Sequence, residues 1–166
     1  FNIGFKSAPL SGYDRLKAEL ETFVALSVMS DPASVLYKSM MEEGLINTTF
    51  STEVFAGDGY FTAIFGGESK NPREVMNRIQ KEVDRIKTEG MDRRFYENIK
   101  KFTYGSSVRE LATPESVSSL MISSYFSDVS PFDSLKVLSE MTYEDVMKCI
   151  TERFDPEKAV LSIVTK

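Results

Sequence analysis

Ile46-Asn-Thr-Thr-Phe-Ser-Thr-Glu-Val-Phe55, Ala56-Gly-Asp-Gly59 and Tyr60-Phe-Thr-Ala-Ile-Phe-Gly-Gly67 form the stretch on which the fold turns. From Ile46 to Phe55 the side-chain period is two. Ile46, Thr48, Phe50, Thr52 and Val54 share one face, and Asn47, Thr49, Ser51 and Glu53 share the other, which predicts a half-buried strand. Gly57-Asp58-Gly59 supplies a turn. Tyr60 to Gly67 is more apolar and reads as a second, more central strand, so the two form a hairpin.

Working towards the start of the chain, Ile46 is preceded by a helix pair. Gly44 is a stop for a helix that the Asp31-Pro32 pair would open, aspartate as cap and proline in the first turn, with Val35, Leu36, Ser39 and Met40 facing the core. A longer helix before it carries Leu16, Leu20, Phe23, Val24 and Ser27 at helical spacing after a Ser11-Gly12 loop. Phe1, Ile3 and Phe5 alternate in an opening strand. A strand at the first residue reads as the start of an excised piece of a longer chain.

Working towards the end, Asn71-Pro72-Arg73-Glu74 is a helix start, and Val75, Ile79, Val83 and Ile86 continue it to Gly90. Its other face, with Arg78, Lys81, Asp84, Arg85 and Lys87, mixes both charges and reads as a solvated surface. Asp92 to Arg109 predicts a helix around Phe95, Ile99 and Phe102 that Gly105 bends or interrupts. Thr113-Pro114-Glu115 opens another through Val117, Leu120, Met121 and Ser124. Thr142-x-x-Asp145 caps a last helix with Val146, Cys149 and Ile150, and Ala159 to Val164 is a closing strand. A hairpin between helical blocks, with lone strands at both ends, implies an α+β two-layer sandwich: a mixed, largely antiparallel sheet with helices on one face. The 166 residues suit a single domain, 1–166, with no linker or internal repeat.

Composition narrows the chemistry. Twenty-five acidic and 20 basic residues leave a net charge of -5, which offers no field for a nucleic-acid backbone or an anionic membrane. No apolar run approaches the roughly 18 residues of a membrane span. The only cysteine is Cys149, so no intrachain disulfide forms and a reducing, cytoplasmic location is expected.

There is no histidine, which removes histidine-based triads and the ordinary zinc sites together. Glu42, Glu43, Asp92, Asp155 and Glu157 are the carboxylates that acid–base or calcium chemistry would use, yet each sits in an amphipathic helix or beside a turn where solvated charge is the simpler reading. Cys149 lies on an apolar helix side and reads as a packed thiol rather than a nucleophile. Gly66-Gly67 before a helix matches no phosphate-loop spacing and reads as a strand end.

One extended pattern joins these elements: Phe1-Asn-Ile-Gly-Phe-Lys6, then Asp31-Pro-Ala-Ser-Val-Leu-Tyr-Lys-Ser-Met-Met-Glu-Glu-Gly-Leu45, the hairpin, the Asn71-Pro-Arg helix and a closing strand. It resembles the C-terminal half-domain of pitrilysin or insulinase-type (inverzincin) zinc peptidases, which include the mitochondrial processing peptidases. Within them it looks nearest to the YmfH-like peptidases of Gram-positive bacteria, and the likeness covers nearly the whole chain.

The resemblance implies the LuxS/MPP-like metallohydrolase type of sandwich and a division of labour. In such peptidases a homologous N-terminal domain carries His-x-x-Glu-His and the zinc, and the C-terminal domain closes over that site as the other half of a chamber. This chain would then hold no cofactor. Its partners would be an N-terminal zinc-binding half or a homologous peptidase subunit, with a peptide as substrate. Active relatives place an arginine and a tyrosine near the scissile peptide. Aligning on Gly44-Leu45 puts Met41 and Asn47 at those positions, so this sequence departs from the pattern at both. Methionine supplies no positive charge to an oxyanion, whereas the asparagine amide can still donate a hydrogen bond. The alternative implied by these departures is a scaffold or partner-interaction domain of a family member that has lost proteolysis.

Overall fold

A computed structural model describes residues 1–165. The chain order is β1 (Asn2–Ser7), α1 (Gly12–Ser30), α2 (Val35–Glu42), β2 (Ser51–Gly57), β3 (Tyr60–Gly66), α3 (Pro72–Glu89), α4 (Arg93–Glu110), α5 (Pro114–Ser127), α6 (Asp133–Glu140), α7 (Tyr143–Arg153), a 3-10 turn (Pro156–Lys158) and β4 (Ala159–Ser162). The four strands form one sheet in the order β2-β3-β1-β4. Every pairing in it is antiparallel: Phe5 lies opposite Ala63 and Ala159, and Val54 also lies opposite Ala63. This is the expected α+β sandwich, with β3 and β1 in the centre.

Alternation along the strands separates the two faces of the sheet. Ile3, Phe5, Phe61, Ala63 and Phe65 are all buried under helices. Phe154, where α7 ends, sits 5.3 Å from Phe5 and 6.4 Å from Phe65 between ring centroids, and Phe5 lies 6.1 Å from Phe65. Each such buried aromatic contributes roughly 1.5–3 kcal/mol, so this cluster fixes α7 on the sheet. The opposite face carries Asn2, Lys6, Ser51, Glu53, Phe55 and Val160, all exposed. Helices cover one side only.

Helix α3 follows its pattern closely. The Asn71 side chain accepts from the Glu74 amide, Val75, Ile79, Val83 and Ile86 are buried, and Gly90 ends the helix with φ +84°. The Thr142–Asp145 start of α7 is a full capping box. Other expectations need correction, among them the closing strand, which ends at Ser162 and not at Val164.

In α1 the buried residues are Ala18, Thr22, Val24, Ala25, Leu26, Val28 and Met29, while Phe23 is exposed. This helix touches the sheet together with α4, α6 and α7, and a helix apolar on several sides gives periodicity no single face to report. The cap of α2 is Ser34, whose hydroxyl accepts from the Tyr37 amide. Asp31 instead ends α1, and its carboxylate accepts from the Ala33 amide, which leaves Val35 exposed and only Leu36 and Met40 buried.

Gly105 does not interrupt α4, which runs unbroken from Arg93 to Glu110; its core residues are Tyr96, Ile99 and Thr103, and Phe102 is exposed. Finally, the strand expected from Ile46 begins at Ser51. Helix α6 has no counterpart among the expected elements: it is as short as α2, and its N-cap, Phe132, makes no side-chain cap hydrogen bond to mark a start.

Candidate functional site

The junction from α2 into β2 carries both candidate positions. Helix α2 ends at Glu42, and the chain folds back on itself: the Gly44 amide donates to the Met41 carbonyl at 3.0 Å, and the Leu45 and Ile46 amides donate to the Met40 carbonyl at 2.8 and 3.3 Å. Gly44 makes this possible at φ +64°, where glycine carries no Cβ penalty. Ile46 is thereby buried, and Asn47 emerges on the surface immediately beyond.

Asn47 then builds the turn that delays the strand. Its Oδ1 accepts from the Thr49 amide at 2.9 Å and from the Thr49 hydroxyl at 2.6 Å, and its carbonyl accepts from the Phe50 amide at 3.1 Å. Its Nδ2 donates to Glu68 Oε2 at 3.0 Å, and the Glu68 amide returns a bond to Thr49 Oγ1 at 3.0 Å. The Asx turn thus clips the entry of β2 to the exit of β3. The Asn-x-Thr spacing at 47–49 is the sequence signal for this turn, and it outranks the period-two pattern because the side chain competes for the backbone groups a ladder would use.

Gly67 explains how close the two segments come. A Cβ at that position would lie 2.9 Å from the Phe50 Cα and 3.3 Å from the Thr49 carbonyl oxygen, and φ is +153°. Gly66-Gly67 is a strand end under a close backbone crossing.

Met41, on the last turn of α2, is half-buried against the core and presents a thioether, not a charge. Arg78 of α3 reaches the end of this helix, where it is ion-paired with Glu43 and, at 3.1 Å, with Glu74. Those two hydrogen-bonded carboxylates, Glu43 first, raise the Arg78 guanidinium above its usual value, and the Arg78 and Asn77 hydrogen bonds hold Glu74 below its own. The guanidinium is committed to structure.

The other candidates have structural duties. Asp92 caps α4 by accepting from the Phe95 amide at 2.7 Å, and Asp155 accepts from the Glu157 amide at 3.0 Å. Glu42 is exposed and unpaired among the described residues. Cys149 is buried against Thr22 Oγ1 at 3.5 Å, and burial pushes its thiol up to about 11, so it holds no thiolate near neutrality. Among the described residues no group of three or more His, Cys, Asp or Glu side chains is placed to hold a metal ion. No helix among them is long and apolar enough to cross a membrane. What the junction offers is shape, one amide N–H left over on Asn47 and an adjoining uncovered sheet face.

Comparison with known proteins gives the family and the fold. Residues 1–102 match the family model described as the peptidase M16 inactive domain. The chain is 30% identical over 167 residues to the uncharacterized zinc protease YmfH of Bacillus subtilis (strain 168), covering 99% of this chain and 39% of that protein. The fold superposes with a TM-score of 0.88 on a protein from Alicyclobacillus acidocaldarius described as an M16-like peptidase, at 21% identity over 96% of this chain and 38% of the other. It also superposes, with a TM-score of 0.79 and 13% identity, on an inactive peptidase domain from Bordetella parapertussis, covering 96% of this chain and 86% of that one. The chain therefore spans about two fifths of the curated relative it matches.

Proposed function

The chain belongs to the peptidase M16 inactive-domain family, and we propose that residues 1–166 form the zinc-free C-terminal half of a longer peptidase-like protein, walling a peptide-binding chamber. The one-sided sheet is the observation that carries this reading. Helices cover the Phe5 and Phe65 face, while Asn2, Lys6, Glu53, Phe55 and Val160 face outward uncovered. A sheet face of mixed polar and apolar groups beside an edge strand suits both a facing domain and an extended peptide.

In this reading Met41 and Asn47 border the chamber at the β2 edge. Asn47 offers its remaining amide N–H to a peptide carbonyl, and Met41 offers apolar contact. The zinc, its activated water and the base come from an N-terminal zinc-binding half or a homologous peptidase subunit, and the pitrilysin and processing-peptidase relationships belong to the same proposal. A buried, reduced Cys149 is compatible with the cytoplasm.

A scaffold role without proteolysis is the second reading, and Met41 favours it, because a half-buried thioether gives a developing oxyanion no charge. The full-length protein decides between them in a peptide-hydrolysis assay with and without a chelator. Chelator-sensitive cleavage supports the chamber; a zinc-free, inactive protein that co-purifies with a zinc-bearing subunit supports the scaffold.

A further inference from the structure

Helix α5 turns mainly serines towards the domain and its largest apolar side chains outward. Leu120, Ser123, Ser124 and Ser127 face the domain, where with Arg15, Glu19 and Ser134 they line a partly open cavity of about 100 Å³ between α5, α1 and α6. Ser124 is the only buried residue of α5. Positions 121, 122, 125 and 126 share the opposite side at 100° per residue. There Met121 is 54% exposed, Ile122 60%, Tyr125 81% and Phe126 82%. Tyr125 and Phe126 meet edge to face, 5.6 Å between centroids.

A helix that turns serines inward and four large apolar side chains outward is not completed by its own domain. The only charge within α5 is Glu115, in its first turn, so the outward side offers nothing to a charged ligand. An uncharged aromatic and aliphatic surface is the composition of a permanent interface. In YmfH and in the Alicyclobacillus acidocaldarius protein the matching region is 38 to 39% of a longer chain, so in those two a larger body is attached to it.

We infer that the outward face of α5, with Met121, Ile122, Tyr125 and Phe126, is the surface on which the companion half of the same polypeptide packs. This inference rests on the two-half reading above. It adds that the docking surface is a helix edge of this domain, away from the α2–β2 junction.

Hydroxyl-radical footprinting of the wild-type full-length protein, read residue by residue by mass spectrometry, tests this without any variant. Tyr96 and Phe154 are fully buried references, and the urea-unfolded protein gives the unprotected rate. The expected result is loss of labelling at Tyr125 and Phe126 to the level of Tyr96 and Phe154 in a protein that is monomeric by light scattering. Labelling at the unfolded rate overturns the inference. Protection that disappears on dilution, with a fall from dimer to monomer mass, also overturns it, because the occupant is then a second copy. Zinc content and hydrolysis measured on the same sample keep the two proposals apart. Exposed aromatics in a zinc-containing, active enzyme sink only the docking surface, and protected aromatics in a zinc-free protein sink only the chamber.

Discussion

Asn47 is tied to Glu68, its Nδ2 donating to Oε2 at 3.0 Å, so the exit of β3 holds the entrance of β2 through side chains and not through the strand ladder. The pair is exposed, and water competes for each of its bonds. Asn47→Ala removes this bond together with both Asx-turn bonds and is expected to cost about 1 kcal/mol. Asn47→Asp keeps the turn acceptor but sets two carboxylates together. Its loss is therefore expected to be relieved by Glu68→Gln, a coupling that a double-mutant cycle by urea denaturation measures. Additive effects would show that the clip is not formed.

Gly67→Ala is expected to destabilise the domain by roughly 1–3 kcal/mol, because the new Cβ would meet the Phe50 backbone at 2.9 Å in a conformation with positive φ. Thermal unfolding reports the loss. Gly105→Ala, in open space on α4, is expected to be neutral or stabilising by up to about 1 kcal/mol.

The two glycines also show what the sequence makes legible. Both interrupt apolar patterns, and only the tertiary crossing of Phe50 distinguishes the indispensable one from the idle one. Signals written in local chemistry are readable: the Asn71 and Thr142 caps, the Gly57-Asp58-Gly59 turn and the buried stripe of α3 all appear where spacing puts them. Faces decided by several neighbours at once are not. Phe23, Phe102 and Met121 look like core residues by spacing and are exposed, because α1 is surrounded and α5 is inverted. At the candidate site, the Asn47–Thr49 turn carries a local signal that the period-two pattern masks, whereas the Glu68 partner, 21 residues away, carries none.

Asp145 accepts from both the amide and the hydroxyl of Thr142, and these bonds, the hydroxyl first, hold its carboxyl below its usual value. A depressed folded pKa stabilises above the unfolded value of 3.8 and is lost as pH falls through the folded one. Asp145→Asn is expected to cost about 1 kcal/mol at neutral pH. The gap from wild type should close as the pH drops below 3.8. Urea titrations at neutral and acid pH check this; a gap unchanged in acid would mean that the charge is not involved.

Cys149, with its thiol pushed up to about 11 by burial, is expected to resist iodoacetamide at pH 8 in the folded protein and to react fully in urea. Mass spectrometry of the two samples reads this directly. Rapid labelling of the native protein would contradict a packed, inert thiol.

In the proposed chamber, the zinc of the full-length protein lies outside residues 1–166. Zinc content by elemental mass spectrometry, measured on the full-length protein and on residues 1–166 alone, is the decisive measurement. Zinc is expected in the full-length protein and none above background in 1–166; stoichiometric zinc retained by 1–166 would overturn the proposal.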